Sequence, residues 1–230
     1  MSRRRYMKRH PKVVPIGKTV LLLHFDGNVT DSSENNYSVT NTGLAFTTGK
    51  FGQAIQFGTG YANLPNDFLR ELFTSGTFTI DFWVKVDNST GDYHDVVFQS
   101  SNSSYGDYCP IRMCFRVDNG VKTCVFLSST NGYNWNIAES FSVNMNDGFN
   151  HVALVHYSGV SYFYINGIFT KSFTHSTTPS ASQIYNRLGS GVSYNNSSHR
   201  SKNVFDEFRI SNVARWTTNF TPPTQPYTAD

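Results

Sequence analysis

Residues 204–212 contain one acidic residue that interrupts an otherwise regular apolar pattern. Side chains of a β-strand point alternately to opposite faces, so Val204, Phe208 and Ile210 would share one face with Asp206. A carboxylate on an apolar face costs free energy unless a metal ion, another cation or backbone N–H donors compensate it. The sequence therefore makes Asp206 a candidate site residue, and metal binding and backbone donors are both open.

Glu207 directly follows Asp206, and two neighbouring acids raise the question of whether they form a catalytic pair. A retaining glycosidase needs two carboxyl groups roughly 5 Å apart on the same face. Adjacent strand residues point to opposite faces, and no Glu-x-Asp-x-x-Glu array occurs in the chain. The seven histidines are scattered and lack the spacing of a zinc-binding helix. We therefore expect a protein that is not an enzyme, with no catalytic residues.

Aromatic and small polar residues are concentrated in two segments, 87–110 and 128–140. Tyr and Trp beside Asn, Ser and Gly are typical of adaptable recognition loops. An ordinary polar loop that shields one sheet is the alternative. The candidate ligand-binding residues are Tyr93, Tyr105, Tyr108, Tyr133 and Trp135.

The basic residues are concentrated at one end of the chain. The first 18 residues hold seven of the 19 Lys and Arg residues and no acid, so 12 basic residues face 16 acidic ones in the rest. Pro11 and Pro15 favour an extended arm over a helix. Such an arm could dock on a partner protein, bind nucleic acid or stay disordered, and its apolar residues favour docking. The candidate docking residues are Arg3, Arg4, Arg5, Tyr6, Lys8 and Arg9.

Neither a membrane span nor a secretion signal is visible in the sequence. No apolar run approaches a transmembrane helix, and no apolar core follows the basic start. We therefore expect synthesis in the host cytoplasm and no membrane partner. Thiols are expected for Cys109, Cys114 and Cys124 in that compartment. A three-residue loop at 118–120 would place Cys114 opposite Cys124, whereas a two-residue turn would place Phe115 there.

Many short runs alternate apolar and polar residues, and turn residues separate them. The clearest run is 77–86, and Ser158-Gly159 and Asn166-Gly167 indicate tight hairpin turns. Only residues 66–73 are helix-like. The pattern predicts an all-β antiparallel sandwich over residues 19–230 with a Pro-rich C-terminal tail, preceded by the arm at 1–18.

Several segments, in the right order, resemble the laminin-G-like, concanavalin A-like jelly-roll family over about residues 19–227. They are 21–27, 31–33, 49–57, 78–84, the pair 150–155 and 164–167, and 205–216. The sequences Arg-Ile-Ser-Asn-Val-Ala-Arg-Trp and Asn-Phe-Thr-Pro-Pro-Thr are similar to modules of bacteriophage and other viral structural proteins. The resemblance implies a jelly roll and a structural calcium ion held between the first turn and the closing strand by Asp26 and Asp206.

These observations together lead to a functional expectation. We expect a non-enzymatic virion structural protein, either a capsid decoration or a tail or fibre component, that exposes a lectin-like sandwich. Its arm would dock on major capsid or tail proteins, a host-surface glycan is a candidate ligand, and self-association is open. A free carbohydrate-binding lectin is the alternative, while nucleic acid binding and a glycan-active enzyme are disfavoured.

Overall fold

The computed structural model describes residues 18–58, 60–65, 67–88, 96–101, 108–131, 134–176, 185–190 and 201–230. Residues 1–17 of the arm, with all its candidate docking residues, lie outside this set. Within it the chain forms one helix, α1 (Asp67–Ser75), and fifteen strands. The strands are β1 (Thr19–Leu23), β2 (Thr40–Thr42), β3 (Ala45–Thr48), β4 (Gln53–Gln56), β5 (Tyr61–Leu64), β6 (Phe78–Lys85), β7 (Val96–Ser101), β8 (Ile111–Asp118), β9 (Val121–Ser128), β10 (Ile137–Ser142), β11 (Asn150–Tyr157), β12 (Val160–Ile165), β13 (Ile168–Thr174), β14 (Tyr185–Leu188) and β15 (Val204–Ser211).

The strands form two antiparallel sheets that pack face to face. Sheet A has the order β13-β12-β11-β6-β15-β4-β3, and β1 also pairs with β15. Sheet B has the order β10-β9-β8-β7-β14-β5-β2. The architecture confirms the predicted all-β sandwich. Among the described residues, no helix is long and apolar enough to span a membrane.

The core lies between the sheets and is built largely from aromatic rings. On β6, Phe78, Ile80, Phe82 and Val84 are fully buried, as the alternation of that run predicts. Phe82 meets Phe115 of sheet B edge to face, at 6.4 Å between ring centroids. Each buried side chain of this size stabilises the fold by about 1.5–3 kcal/mol relative to exposure.

Left-handed residues in the tight turns set the register of the hairpins. Asn119-Gly120, Ser158-Gly159 and Asn166-Gly167 all have positive φ at both positions, which matches the twist of paired strands. The turn at 119–120 has two residues, so Phe115 lies opposite Cys124. Cys114 therefore points to the other face of sheet B, and all three cysteines are buried thiols.

The closing strand β15 differs from the strict alternation that its sequence suggests. Asp206 pairs with Trp83 and Arg209 pairs with Asp81, so β15 has one more residue than β6 over this stretch. This β-bulge is centred on Glu207, whose φ is +52°. The extra residue reverses the alternation within the strand.

The bulge overturns the predicted face of Asp206. Phe205 before the bulge and Phe208 and Ile210 after it all point into the core. Asp206 and Arg209 instead lie on the outer face of sheet A, opposite Trp83 and Asp81. The prediction that Asp206 shares a face with Phe208 and Ile210 was therefore wrong.

A buried ion pair occupies this outer face. The Arg209 Nε and Nη2 atoms donate to the two carboxylate oxygens of Asp81 at 3.1 and 2.9 Å. Burial alone would raise the pKa of Asp81, but the charge of Arg209, the nearby His151 ring and the hydrogen bonds from Arg209 outweigh it and lower the pKa. The guanidinium also lies 4.2 Å from the centroid of the Tyr227 ring.

The C-terminal tail covers this pair and one margin of sheet A. Tyr227 is buried, and Phe220 stacks on Trp216 at 4.0 Å between centroids. At the start of β13 the Asn219 Oδ1 atom accepts the Phe169 N–H at 2.8 Å, and Phe220 N–H donates to the Gly167 carbonyl at 2.9 Å. Phe220 and Tyr227 thus fix the tail to the sheet.

Asp81→Ala should destabilise the protein by about 3–5 kcal/mol, because it leaves the Arg209 charge buried without its partner. The double variant Asp81→Leu/Arg209→Met should recover most of that loss, since it removes both charges. Urea unfolding of both variants measures the difference. Equal losses in the two would show that packing, rather than the unpaired charge, accounts for the effect.

Candidate functional site

Asp26 and Asp206 both bind the backbone of one tight turn, residues 49–53. The Asp206 Oδ2 atom accepts the Phe51 N–H at 2.8 Å, and the Asp26 Oδ1 atom accepts the Gln53 N–H at 2.7 Å. Two glycines allow this approach, since a Cβ atom on Gly49 would meet Asp206 and one on Gly52 would meet Asp26. The turn therefore joins the segment after β1 to the closing strand, and we call this arrangement the clasp.

The buried carboxyl group of Asp206 is only partly compensated. Burial raises its pKa to about 7, with a further contribution from the charge of Glu207, against the opposing effect of the Phe51 N–H. Its second oxygen, Oδ1, is buried and has no hydrogen-bond partner. Asp206 therefore holds a proton at a pH at which an ordinary aspartate is ionised.

Glu207 joins three segments beside the clasp. Its Oε1 atom lies 2.8 Å from His24 Nδ1, and its Oε2 atom accepts the Tyr227 N–H at 2.8 Å. The hydrogen bond to Glu207 raises the pKa of His24, although partial burial opposes it. The bulge thus directs Glu207 toward the segment after β1, where it contacts His24, and toward the tail, where it contacts Tyr227.

The clasp provides only part of the oxygen shell that a calcium ion requires. Calcium takes six to eight oxygen ligands, and the free Asp206 Oδ1 atom is one suitable donor. However, one oxygen of each aspartate is already bound to a backbone N–H, and the described residues contain no group of three His, Cys, Asp or Glu side chains placed for a metal. The described residues therefore do not form a complete calcium site, and calcium stays a prediction.

Tyr108 and Trp135, two of the predicted ligand-binding residues, lie in contact. Their ring centroids are 5.0 Å apart, and both side chains are half-buried. Tyr108 precedes β8 and Trp135 precedes β10, which both pair with β9. The structure therefore brings together one aromatic residue from each predicted segment at one end of sheet B. Tyr93, Tyr105 and Tyr133 lie outside the described residues.

Asparagine side chains organise the loop that carries Trp135. The Asn136 Oδ1 atom accepts from both the N–H and the hydroxyl of Thr130, at 2.7 and 2.9 Å. The Asn131 Oδ1 atom accepts the Asn134 N–H at 3.2 Å. Exposed amide groups therefore surround an aromatic pair, a chemistry suited to hydroxyl-rich ligands.

Sequence reasoning identified the aromatic residues of this surface and missed the amides that position it. The recurrence of Asn at 131, 134 and 136, beside Ser and Thr, is the signal that was present, because such side chains form local backbone hydrogen bonds. The His24–Glu207 contact had no comparable signal, since it joins residues 183 positions apart.

Asp206→Asn should change how stability depends on pH. The folded-state pKa of about 7 lies above the ordinary 3.8, so the stability contributed by the protonated Asp206 is present below about pH 4 and is lost as the pH rises to about 7. The variant lacks this titration, so its melting temperature should rise relative to that of the wild type as the pH increases from about 4 to about 7. Asp206→Ala should cost about 1–3 kcal/mol near pH 4, because the Phe51 N–H loses its acceptor, and this cost should shrink as the pH rises to about 7.

Thermal melts between pH 4 and pH 7 measure both effects, with the exposed Glu34→Gln as the matched control. Parallel wild-type and Asp206→Asn curves would contradict the raised pKa. The same proteins test calcium: if Asp206 is a ligand, calcium in the millimolar range should raise the melting temperature of the wild type and leave Asp206→Asn unchanged.

Comparisons with known proteins agree with this fold. The family model described as the concanavalin A-like lectin/glucanases superfamily matches residues 56–218. No curated protein sequence matches the chain.

Two solved structures illustrate the shared fold. Domain 4 of AbnA, a GH43 extracellular arabinanase from Geobacillus stearothermophilus in complex with arabinotriose, aligns with a TM-score of 0.60 and 20% identity, covering 86% of this chain and 93% of that one. The binding domain of botulinum neurotoxin DC in complex with SialylT aligns with a TM-score of 0.62 and 15% identity, covering 86% of this chain. The chain spans about half of that toxin domain, 48% of its length.

The two-sheet sandwich, its closing strand and the family match over residues 56–218 lead to one assignment. The chain belongs to the laminin-G-like branch of the concanavalin A-like lectin/glucanase superfamily.

Proposed function

We propose that this protein is a non-enzymatic virion component that recognises a glycan with the Tyr108–Trp135 end of sheet B. The observation that carries the proposal is the aromatic pair, 5.0 Å between centroids, beside exposed asparagine amides. Aromatic faces pack on the apolar face of a sugar ring, while amides and hydroxyls bond its hydroxyl groups.

Structural neighbours support a recognition role. The AbnA domain is described in complex with arabinotriose and the botulinum neurotoxin DC domain with SialylT. Another structure of the toxin domain is in complex with rat synaptotagmin II, so the same fold also serves protein recognition. At such low identity these neighbours support the fold alone. The ligand proposal therefore rests on the residues of this chain.

The arrangement of the acids supports a binding role over catalysis. Asp206 and Glu207 are both buried beneath the tail and the 49–53 turn. Their oxygens accept from Phe51, Tyr227 and His24, so these contacts stabilise the fold. A glycosidase needs two carboxyl groups that reach the substrate from one cleft, and this pair does not meet that requirement.

Two features of the sequence support the virion setting. The first is the closing sequence 209–216, which resembles modules of viral structural proteins. The second is the basic arm with Arg3, Arg4, Arg5, Tyr6, Lys8 and Arg9, which combines charge with apolar residues. In this proposal the protein is made in the host cytoplasm, and its arm docks on major capsid or tail proteins.

Trp135→Ala should weaken glycan binding by about tenfold or more, because buried aromatic anchors carry much of the binding free energy in recognition sites. A glycan array identifies ligands of the wild type, and calorimetry with the best of them measures the variant. Phe169→Ala is the matched control, since Phe169 is an aromatic residue exposed by 48% on sheet A. Equal binding by wild type and Trp135→Ala would contradict the site, and a chain that binds no glycan would contradict the function.

Deletion of residues 1–17 should abolish incorporation into virions while the sandwich remains folded. Lys18 is retained because its N–H donates to the Asp230 carbonyl at 2.7 Å and its carbonyl accepts the Asn212 N–H at 3.0 Å. Mass spectrometry of purified particles measures incorporation, and a thermal melt of the truncated chain tests folding. Normal incorporation of the truncated chain would refute docking through the arm, and tight glycan binding by a protein absent from particles would favour the free lectin.

A further inference from the structure

One row of directly paired residues crosses all seven strands of sheet B. It runs in the order Ala138, Leu127, Arg112, Gln99, Arg187, Asn63 and Thr40. Alternate residues such as Met113, Phe98 and Leu188 point into the core, so the Arg112 and Arg187 side chains lie on the outer face, away from sheet A. Two arginines therefore flank the middle of this outer face.

Arg112 is buried on this face, with one guanidinium nitrogen unpaired among the described residues. Only 5% of its surface is exposed, and its Nε atom has no hydrogen-bond partner. None of the ion pairs among the described residues includes Arg112. A charge removed from water without a partner costs several kcal/mol, so this guanidinium is an unusual feature of a folded domain.

The other buried arginines show what compensation looks like in the same molecule. Arg209 forms two hydrogen bonds with Asp81, and Arg116 donates from Nε to Asp118 at 2.8 Å. Arg187 donates from Nε to the Asn63 side chain at 3.0 Å, and its guanidinium lies 4.5 Å from the Tyr61 ring centroid. Arg187 is half-buried, and these two contacts place its guanidinium on this outer face.

We propose that the outer face of sheet B binds the anionic group of an acidic glycan, with Arg112 as the central contact and Arg187 as the second cation. This inference rests on the proposed glycan function and specifies its ligand class. A guanidinium presents parallel N–H donors that match a carboxylate or a sulfate, and such charge-assisted bonds are strongest where water is excluded. A bound anion would supply the partner that Arg112 lacks.

The location connects the cation to the aromatic pair. Arg112 lies four residues after Tyr108, near the start of β8, and pairs with Leu127 near the end of β9. Leu127 pairs in turn with Ala138, three residues after Trp135. One oligosaccharide can therefore place a sugar ring on Tyr108 and Trp135 and a charged substituent toward Arg112.

A glycan array with matched neutral, sialylated and sulfated members tests the ligand class on the full-length protein. We expect the acidic members to bind and their neutral counterparts to bind at least about tenfold more weakly. Arg112→Gln should reduce acidic binding to the neutral level, and rising salt should weaken the wild type but not the variant. Lys171→Gln, an exposed cation on sheet A, is the matched control and should have no effect.

A second measurement needs no ligand. Because no described acidic residue forms an ion pair with Arg112, Arg112→Met should leave the melting temperature unchanged or raise it in ligand-free protein, and inorganic sulfate should stabilise the wild type more than the variant. A clear fall in the melting temperature of Arg112→Met would identify a structural role and overturn the inference.

The outcomes separate the two proposals. Acidic binding that survives Arg112→Gln, or binding restricted to neutral glycans, overturns the anionic site and leaves the glycan function intact. If the protein binds no member of the array, both the glycan function and the anionic site are refuted. Sialylated and sulfated members distinguish a carboxylate from a sulfate as the natural group.

Discussion

One additional residue in the closing strand determines how the two faces of sheet A are used. The bulge at Glu207 reverses the alternation of β15, so that Phe205, Phe208 and Ile210 all enter the core. The same reversal places Arg209 beside Asp81 and Asp206 beside the 49–53 turn. Glu207 itself, in a left-handed conformation that costs free energy for a residue with a Cβ atom, gains contacts to His24 and Tyr227. Without the bulge, either the aromatic residues or the charged ones would lie on the wrong face.

The parts of this fold that were predictable are those with local causes. The alternation of β6, the Asn-Gly and Ser-Gly turns and the helix near 66–73 all follow from short-range patterns. The bulge does not, because nothing in the sequence around Glu207 marks a left-handed residue, and its compensation comes from partners distant in the chain. The face of Asp206 was mispredicted for that reason alone.

The candidate site divides in the same way. Tyr108 and Trp135 could be named from the composition of their loops, but their contact depends on the pairing of β8 and β10 with the strand between them. Arg112 attracted no attention in the sequence, since a single arginine in a strand is ordinary. It becomes notable only when its burial and its unpaired Nε atom among the described residues are known, and both are properties of the packed sheet. Arg209 on sheet A and Arg116 on sheet B each have an aspartate partner, whereas the proposed partner of Arg112 is a ligand.

The contacts of Asn219 and Phe220 with the start of β13 affect how readily two copies of the domain can pair through this strand. β13 ends the strand order of sheet A, and its side chains are largely exposed, so its outer backbone groups could template pairing with another copy. The Asn219 side chain accepts the Phe169 N–H and the Phe220 N–H donates to the Gly167 carbonyl, so two backbone groups at the start of this edge are already used. In the proposed virion setting, where copies would meet often, these contacts would hinder pairing between copies at this end of β13.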